Sequence, residues 1–322
     1  MSTAWRTSTA RRTSTARRST AITLLGILAA GWGTAWGQET TGSFERTLDL
    51  EGPVRLEVMT GSGRIAVEPG PVGHVQIAGQ IRIGRAFGRS AEDAEAMLQR
   101  LQASPPIEVT GNTVRVGPID DPAYNHNVSI SYAIVAPPDT ALTSRSGSGS
   151  QALSGIEGGV DAGTGSGSIS LQDIGGTVRV MAGSGSIAAE GVDGPFEART
   201  GSGSIKLVQT GPGEVEVSAG SGDIDLSGID GALHSRSGSG SVRAEGEPKA
   251  PWNLETGSGS IRLRLPADAA FDLNAQTGSG GIRTDHPVTQ QGTISRNRLV
   301  GEVRGGGPLV RLRTGSGSIA IE

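Results

Sequence analysis

The sequence predicts an all-β fold, a β-solenoid whose chain coils once per rung of about eighteen or nineteen residues, with one short helix in an N-terminal insertion. Three observations predict it. Gly-Ser-Gly occurs ten times, beginning at Gly61, Gly147, Gly165, Gly183, Gly201, Gly220, Gly238, Gly257, Gly278 and Gly315, with intervals from 147 to 278 of 18, 18, 18, 19, 18, 19 and 21 residues. Four residues after each first glycine stands Ile65, Gln151, Ile169, Ile187, Ile205, Ile224, Val242, Ile261, Ile282 or Ile319, so nine of the ten are β-branched aliphatics. Five residues before it stands Leu56, Leu142, Val160, Val178, Phe196, Val215, Leu233, Trp252, Leu273 or Val310, all apolar in a chain that is 35% hydrophobic.

Between these anchors apolar and polar residues alternate, as in Ile169-Ser170-Leu171 and Val178-Arg179-Val180, which predicts at least two short half-buried strands per repeat. A hairpin sheet needs a reversal code such as Asn-Gly at each turn, whereas one motif recurs here at one phase of every unit. Coiling satisfies that phase and stacks equivalent residues about 4.8 Å apart in parallel ladders around a narrow aliphatic column. The chain has 52 glycines and 16 prolines and is only 3% aromatic, a composition that without periodicity describes a disordered chain.

The motif glycines Gly147, Gly149, Gly165, Gly167, Gly183, Gly185, Gly201, Gly203, Gly220 and Gly222 are expected at corners, where positive φ or close approach to the next rung excludes a side chain. The serines between them are expected to form hydroxyl ladders. A second corner is marked by Gly158, Gly176, Gly194 and Gly231, each two residues after an aliphatic. Glycines in mid-stack are expected to tolerate substitution worse than those at the ends, with Gly317 taken as an end position.

The chain divides into a leader over 1–37, an irregular β segment over 38–141 and the regular repeats over 142–322. The leader carries Arg6, Arg11, Arg12, Arg17 and Arg18, no acid, then the apolar run Ala21 to Gly33 and the small residues Ala35 and Gly37. That is the three-part pattern of a secretory signal, with an apolar run too short to span a bilayer. Periplasmic or extracellular location is therefore expected. Arg17-Arg18 is a weak hint of the folded-protein export route, because Ser19-Thr20 follow instead of bulky apolar residues.

In the middle segment, alternating strands are expected at Val54 to Val58, Val75 to Ile83 and Val128 to Ile134. A helix capped by Ser90 with Asp93 places Ala94, Met97, Leu98 and Leu101 on one face and stops before Pro105, forming a flap over an end or side of the stack. The 37-residue gap from Gly278 to Gly315 is expected to hold an irregular loop around Asp285 to Asn297.

Several chemistries are disfavoured. Removing the five leader arginines from the 28 basic residues leaves 23 against 32 acidic ones, a net charge of −9 that argues against non-specific nucleic-acid binding. Cysteine is absent, which excludes disulfides and thiol chemistry. Calcium-binding rolls need a ladder of Asp ligands where this chain has Ser150, Ser168, Ser186, Ser204, Ser241 and Ser260, and Asp223 alone departs. No Gly-Lys-Ser/Thr follows a glycine loop, and no Gly-x-Ser-x-Gly elbow occurs. His74, His126, His234 and His286 sit in unrelated contexts, and Phe196, Trp252 and Phe271 fall at or beside inward slots rather than on a carbohydrate platform.

The residues resemble the bacterial "putative adhesin" β-strand-repeat family of unknown function. The likeness rests on Val54-Arg55-Leu56-Glu57-Val58 before the first Thr-Gly-Ser-Gly, the helical insertion, Tyr132-Ala133-Ile134-Val135-Ala136-Pro137, and the repeated Thr-Gly-Ser-Gly-Ser-Ile units ending at Ile319. Together with the leader and the lack of catalytic or metal-binding motifs, it leads to the expectation of a secreted, non-catalytic adhesin or surface-binding protein with no cofactor or metal. A purely structural or self-assembling envelope component and a β-helix polysaccharide-active enzyme are the alternatives.

Five residues after the first glycine, a position expected to face solvent holds Arg243, Arg262 and Arg283 on what sequence order makes three successive rungs. The resulting basic stripe is a candidate site for an envelope polyanion, a surface glycan or a protein, since forked guanidinium donors suit carboxylates and phosphates. For export, cleavage near Gly37 is expected to shorten the 322-residue chain by 37 residues to 285. N-terminal sequencing from the native host checks this, and an intact arginine-rich leader on cytoplasmic protein contradicts it.

Overall fold

A computed structural model describes residues 39–84, 90–119, 127–290 and 295–322. The leader expected over 1–37 and its expected cleavage site lie outside the described residues. The described chain holds 27 strands and one helix, and the strands form two sheets of 13 and 14. Through the repeats, each rung contributes one strand to each sheet, so the solenoid has two walls.

One rung shows how the period closes. Val178–Ala182 lies in the 14-stranded sheet, the motif turns the chain, Ile187–Val192 lies in the 13-stranded sheet, and a second turn returns it to Phe196–Thr200. Val178 then pairs in parallel with Phe196 and Val180 with Ala198, one repeat apart. Period-2 alternation buries Val178 and Val180 and exposes Arg179 and Met181. The anchors before and after the motif thus become two inward columns, and the buried aliphatics of all rungs join one core with Phe196, Trp252 and Phe271. Each such buried side chain contributes about 1.5–3 kcal/mol. Gln151, the exception in its column, is buried and donates through Nε2 to Gly163 O at 2.6 Å.

At the motif corner the glycines are required by close approach, not by positive φ. A Cβ on Gly147 would overlap Gly61 O, one on Gly165 would overlap Gly147 O, and the relation repeats through Gly183, Gly201, Gly220, Gly238 and Gly257. The second glycines stack likewise, Gly149 on Gly63 and then Gly167, Gly185, Gly203 and Gly222 each on its predecessor. Left-handed backbone occurs instead near the strand ends that lead into the second turn, where Gly191 has φ 73° and Asp173, one rung away, has φ 53°.

The hydroxyls that tie rungs together flank the motif, while the middle serines are exposed. Buried Thr200 accepts from Gly203 N at 3.1 Å and donates to Gly185 O, in the neighbouring rung, at 2.9 Å. Thr164, Ser237, Thr256, Thr277 and Thr314 make the same pair of bonds. After the motif, Ser186 Oγ accepts from Ser204 N at 3.2 Å.

Stack order departs from sequence order at both ends. The first motif rung, Arg55–Thr60 and Ile65–Pro69, pairs on one side with Ala141–Ser146 and Gln151–Ile156, and on the other with Thr113–Val116 and Val128–Ala136. At the far end Leu309–Thr314 inserts between Trp252–Thr256 and Phe271–Thr277, and Ile319–Ile321 between Ile261–Arg264 and Ile282–Thr284. Gly317 is therefore an interior position, covered by Gly280, and the expectation that it ends the stack is corrected.

Antiparallel strands cap the ends of the 14-stranded sheet, Ile107–Thr110 at one and Arg298–Val303 with Val288–Gln290 at the other. In the 13-stranded sheet the edge strand Thr40–Asp49 pairs with His74–Ile83. The helix Ala91–Ala103 packs on that edge strand, burying Leu98 and Leu101, with a capping box between Ser90 and Asp93 as the sequence predicts. Gln102 Nε2 donates to Ser43 O at 2.9 Å.

The glycine column gives a paired test. Nothing lies within 4 Å of a Cβ built on Gly61, whereas one on Gly201 collides with Gly183 O. Gly201→Ala is expected to destabilise by about 1–3 kcal/mol and Gly61→Ala by less than about 0.5 kcal/mol. Equal losses in urea unfolding would contradict the stacked column.

Candidate functional site

The two outer faces are arrays of side chains at strand spacing, ordered by the register rather than by the sequence. On the 14-stranded sheet, one outward column runs through Asp161, Arg179, Glu197, Glu216, His234, Asn253 and Arg311. The neighbouring column, nearer the glycine corner, runs through Arg145, Gly163, Met181, Arg199, Ser218, Arg236, Glu255, Arg313 and Gln276.

Charge is compensated over the first part of this face. Arg145 Nη2 pairs with Asp161 Oδ2 at 2.8 Å, and Arg179 Nε with Glu197 Oε2 at 2.8 Å. Arg199 Nη2 reaches both Glu197 at 3.1 Å and Glu216 at 3.0 Å. The bond to Glu197 raises the Arg179 pKa above its ordinary value. Beyond Ser218 the pairing stops. Among the described residues, Arg236, Arg311 and Arg313 have no carboxylate partner.

Beside these free guanidinium groups lies an open groove of about 640 Å³, lined by Arg236, Glu255, Gln276 and Arg313 along one wall and by Gly238, Gly257, Gly315 and Gly278 along the corner. A second hollow of about 480 Å³ follows the same corner between Arg145 and Arg199, with Met181 in its wall. Both exist because the corner carries no side chains beyond its serines. No reading of the sequence alone finds them without stack order, although the arginines at 145, 199, 236 and 313 all stand two residues before a motif.

The stripe expected from the sequence lies on the opposite face. Arg243 and Arg262 are neighbours there, but Ala320 pairs with Arg262 on one side and Arg283 on the other. The three arginines therefore do not occupy successive rungs, because the C-terminal rung inserts between the last two. Arg262 Nε also lies 3.4 Å from Glu322 Oε1. Farther along this face Lys206 bonds Glu190 at 2.7 Å, which raises the lysine pKa and lowers that of the glutamate.

The histidines occupy separate environments. His74 Nδ1 lies 2.7 Å from Asp49 Oδ1 at the surface, and His234 stands in the outward column with its Nδ1 3.4 Å from Asn253 Nδ2. His286 is buried edge-on against Phe271, with ring centroids 5.7 Å apart, and His126 lies outside the described residues. Among the described residues, no group of three His, Asp or Glu is placed to hold a metal ion. Tyr132 is buried, and desolvation lifts its phenol pKa well above the ordinary value.

No curated protein matches the chain in sequence. Solved structures are similar to the chain over most of its length. A "putative lipid binding protein" from Parabacteroides distasonis aligns over 87% of this chain and 96% of its own, with 13% identity and a TM-score of 0.50. A "putative adhesin" from Bacteroides fragilis aligns over 87% of this chain and 97% of its own, with 14% identity and a TM-score of 0.38. Identities this low bear on fold alone. The Toastrack DUF4097 model matches residues 158–322, just over half of the sequence, and the chain belongs to that family.

Proposed function

We propose that this chain is an exported, non-catalytic binding protein that lays an envelope polymer or surface ligand along its outer faces. The observation that carries the reading is the groove beside the glycine corner, where unpaired Arg236 and Arg313 stand at regular levels next to an edge of glycines and small hydroxyl residues. A rigid two-walled stack holds such groups at fixed spacing, so little ordering entropy opposes the binding of an extended ligand. Export is supported by the leader pattern of residues 1–37, and no helix among the described residues is long and apolar enough to cross a membrane.

The end caps favour binding over self-assembly. Antiparallel strands close both ends of the 14-stranded sheet, and the helix covers the strand Thr40–Asp49, so parallel stacking of a second copy is opposed at those ends. Arg243, Arg262 and Arg283 supply a second, interrupted cationic patch on the other face.

Immobilised chain lacking the leader, incubated with fractionated cell envelope, is expected to retain a polymer or surface component saturably. Retention of nothing except further copies of itself would overturn the reading in favour of a self-assembling component.

A further inference from the structure

The groove on the 14-stranded sheet has a charge pattern that restricts what it can hold. Along its wall the levels read Arg236, Glu255, Arg313, Gln276, a cation, an anion, a cation and an amide on successive strands. The two arginines stand two strand spacings apart, about 9.6 Å. Arg311, two residues from Arg313 on the same face, adds a third cation without a carboxylate partner among the described residues. Like charges gathered this way repel, and the other part of the face relieves the same problem by interleaving carboxylates at 2.8–3.1 Å. Here Glu255 stands between the two arginines without an ion pair to either, so three cations face one carboxylate, and a ligand anion offsets the excess, held by forked donors suited to carboxylate or sulfate.

We propose that this groove binds an acidic polysaccharide that carries its charge on every second sugar. The proposal rests on the reading of the chain as a binding protein and names the class of its ligand. Spacing and sign both select this class. Charges on alternate sugars of an extended glycan meet Arg236 and Arg313, while the intervening neutral sugar offers hydroxyl donors to Glu255. A polymer charged at every unit sets an anion against Glu255. An extended peptide repeats its same-face side chains about every 6.8 Å, out of step with the arginines. The other wall, formed by Gly238, Gly257 and Gly315, leaves room for sugar rings against bare peptide groups.

Titration calorimetry of the purified chain against three probes tests this: hyaluronate, with an acid on alternate sugars; polygalacturonate, with an acid on every sugar; and neutral dextran. Hyaluronate is expected to bind best, more weakly as salt rises, and dextran not at all. Arg236→Gln with Arg313→Gln is expected to weaken hyaluronate binding by about tenfold or more. Glu255→Gln is expected to raise affinity for polygalacturonate. Arg64→Gln with Arg82→Gln, exposed at the other end of the stack, is expected to leave hyaluronate binding unchanged. Because Arg236 and Arg313 hold no carboxylate, their double variant is expected to unfold within about 0.5 kcal/mol of the parent, which separates lost binding from lost folding.

Parent-like hyaluronate binding by the double variant overturns the proposal, as does equal binding of dextran. If the chain retains other envelope material but neither acidic glycan, the ligand assignment fails and the binding reading stands. If it retains nothing, the binding reading itself fails.

Discussion

At each Thr-Gly-Ser-Gly corner two main chains lie too close for a Cβ to fit between them, and where the preceding residue is a threonine or serine its buried hydroxyl ties them together. Gly201 N donates to Ala182 O at 3.2 Å and to Gly183 O at 3.0 Å, while the Thr200 hydroxyl spans from Gly203 N to Gly185 O. Removing such a hydroxyl leaves a buried N–H without its acceptor, a cost of about 1–3 kcal/mol. Ala182 and Ala219 occupy the same position in two rungs, so the stack accommodates some corners without a hydroxyl. Gly61 apart, the motif glycines have no such latitude, since a side chain there strikes backbone rather than a movable group. The close stacking of rungs and the alignment of outward columns go with that approach.

A stack of parallel rungs ends in unpaired strand edges, and this chain closes most of them with later or earlier parts of itself. The first motif rung and the last in sequence are each tucked one layer inside, and antiparallel strands follow the outer layers at both ends of the 14-stranded sheet and at one end of the 13-stranded sheet, whose other edge is Ile282–Thr284. Antiparallel pairing reverses the direction of the exposed edge, which a further parallel rung cannot match. The helix works by a different means, setting Leu98 so close to Gly42 that a side chain at Gly42 would collide with it.

Most of the repeat was legible because its anchors are one-dimensional signals. Leu56 to Leu273 and Ile65 to Ile282 recur at fixed offsets from a glycine motif, and period-2 alternation then assigns every other residue to core or solvent. The helix was legible from Ser90 and Asp93 for the same reason. What sequence could not supply was adjacency at the ends. Spacing alone makes Arg283 the neighbour of Arg262, but stacking places Ala320 between them, because the segment from Phe271 onward skips a level that the last residues fill. The hydroxyl tie leaves a signal as well, since eight of ten motifs are preceded by Thr or Ser, but the sequence alone does not say which hydroxyl of each motif turns inward.

The same insertion that breaks the arginine stripe on one face builds the groove on the other, since it brings Arg313 beside Glu255. Stack order is therefore the central structural claim. The chain contains no cysteine, so introduced pairs report adjacency without interference. Arg262→Cys with Ala320→Cys places two thiols on neighbouring strands, within the usual disulfide Cα separation of about 4.4–6.8 Å. Arg262→Cys with Arg283→Cys places them about 9.6 Å apart, two strand spacings. Under mild oxidation of the folded protein, the first pair is expected to cross-link and the second to remain reduced. Cross-linking of the second pair but not the first would contradict the account.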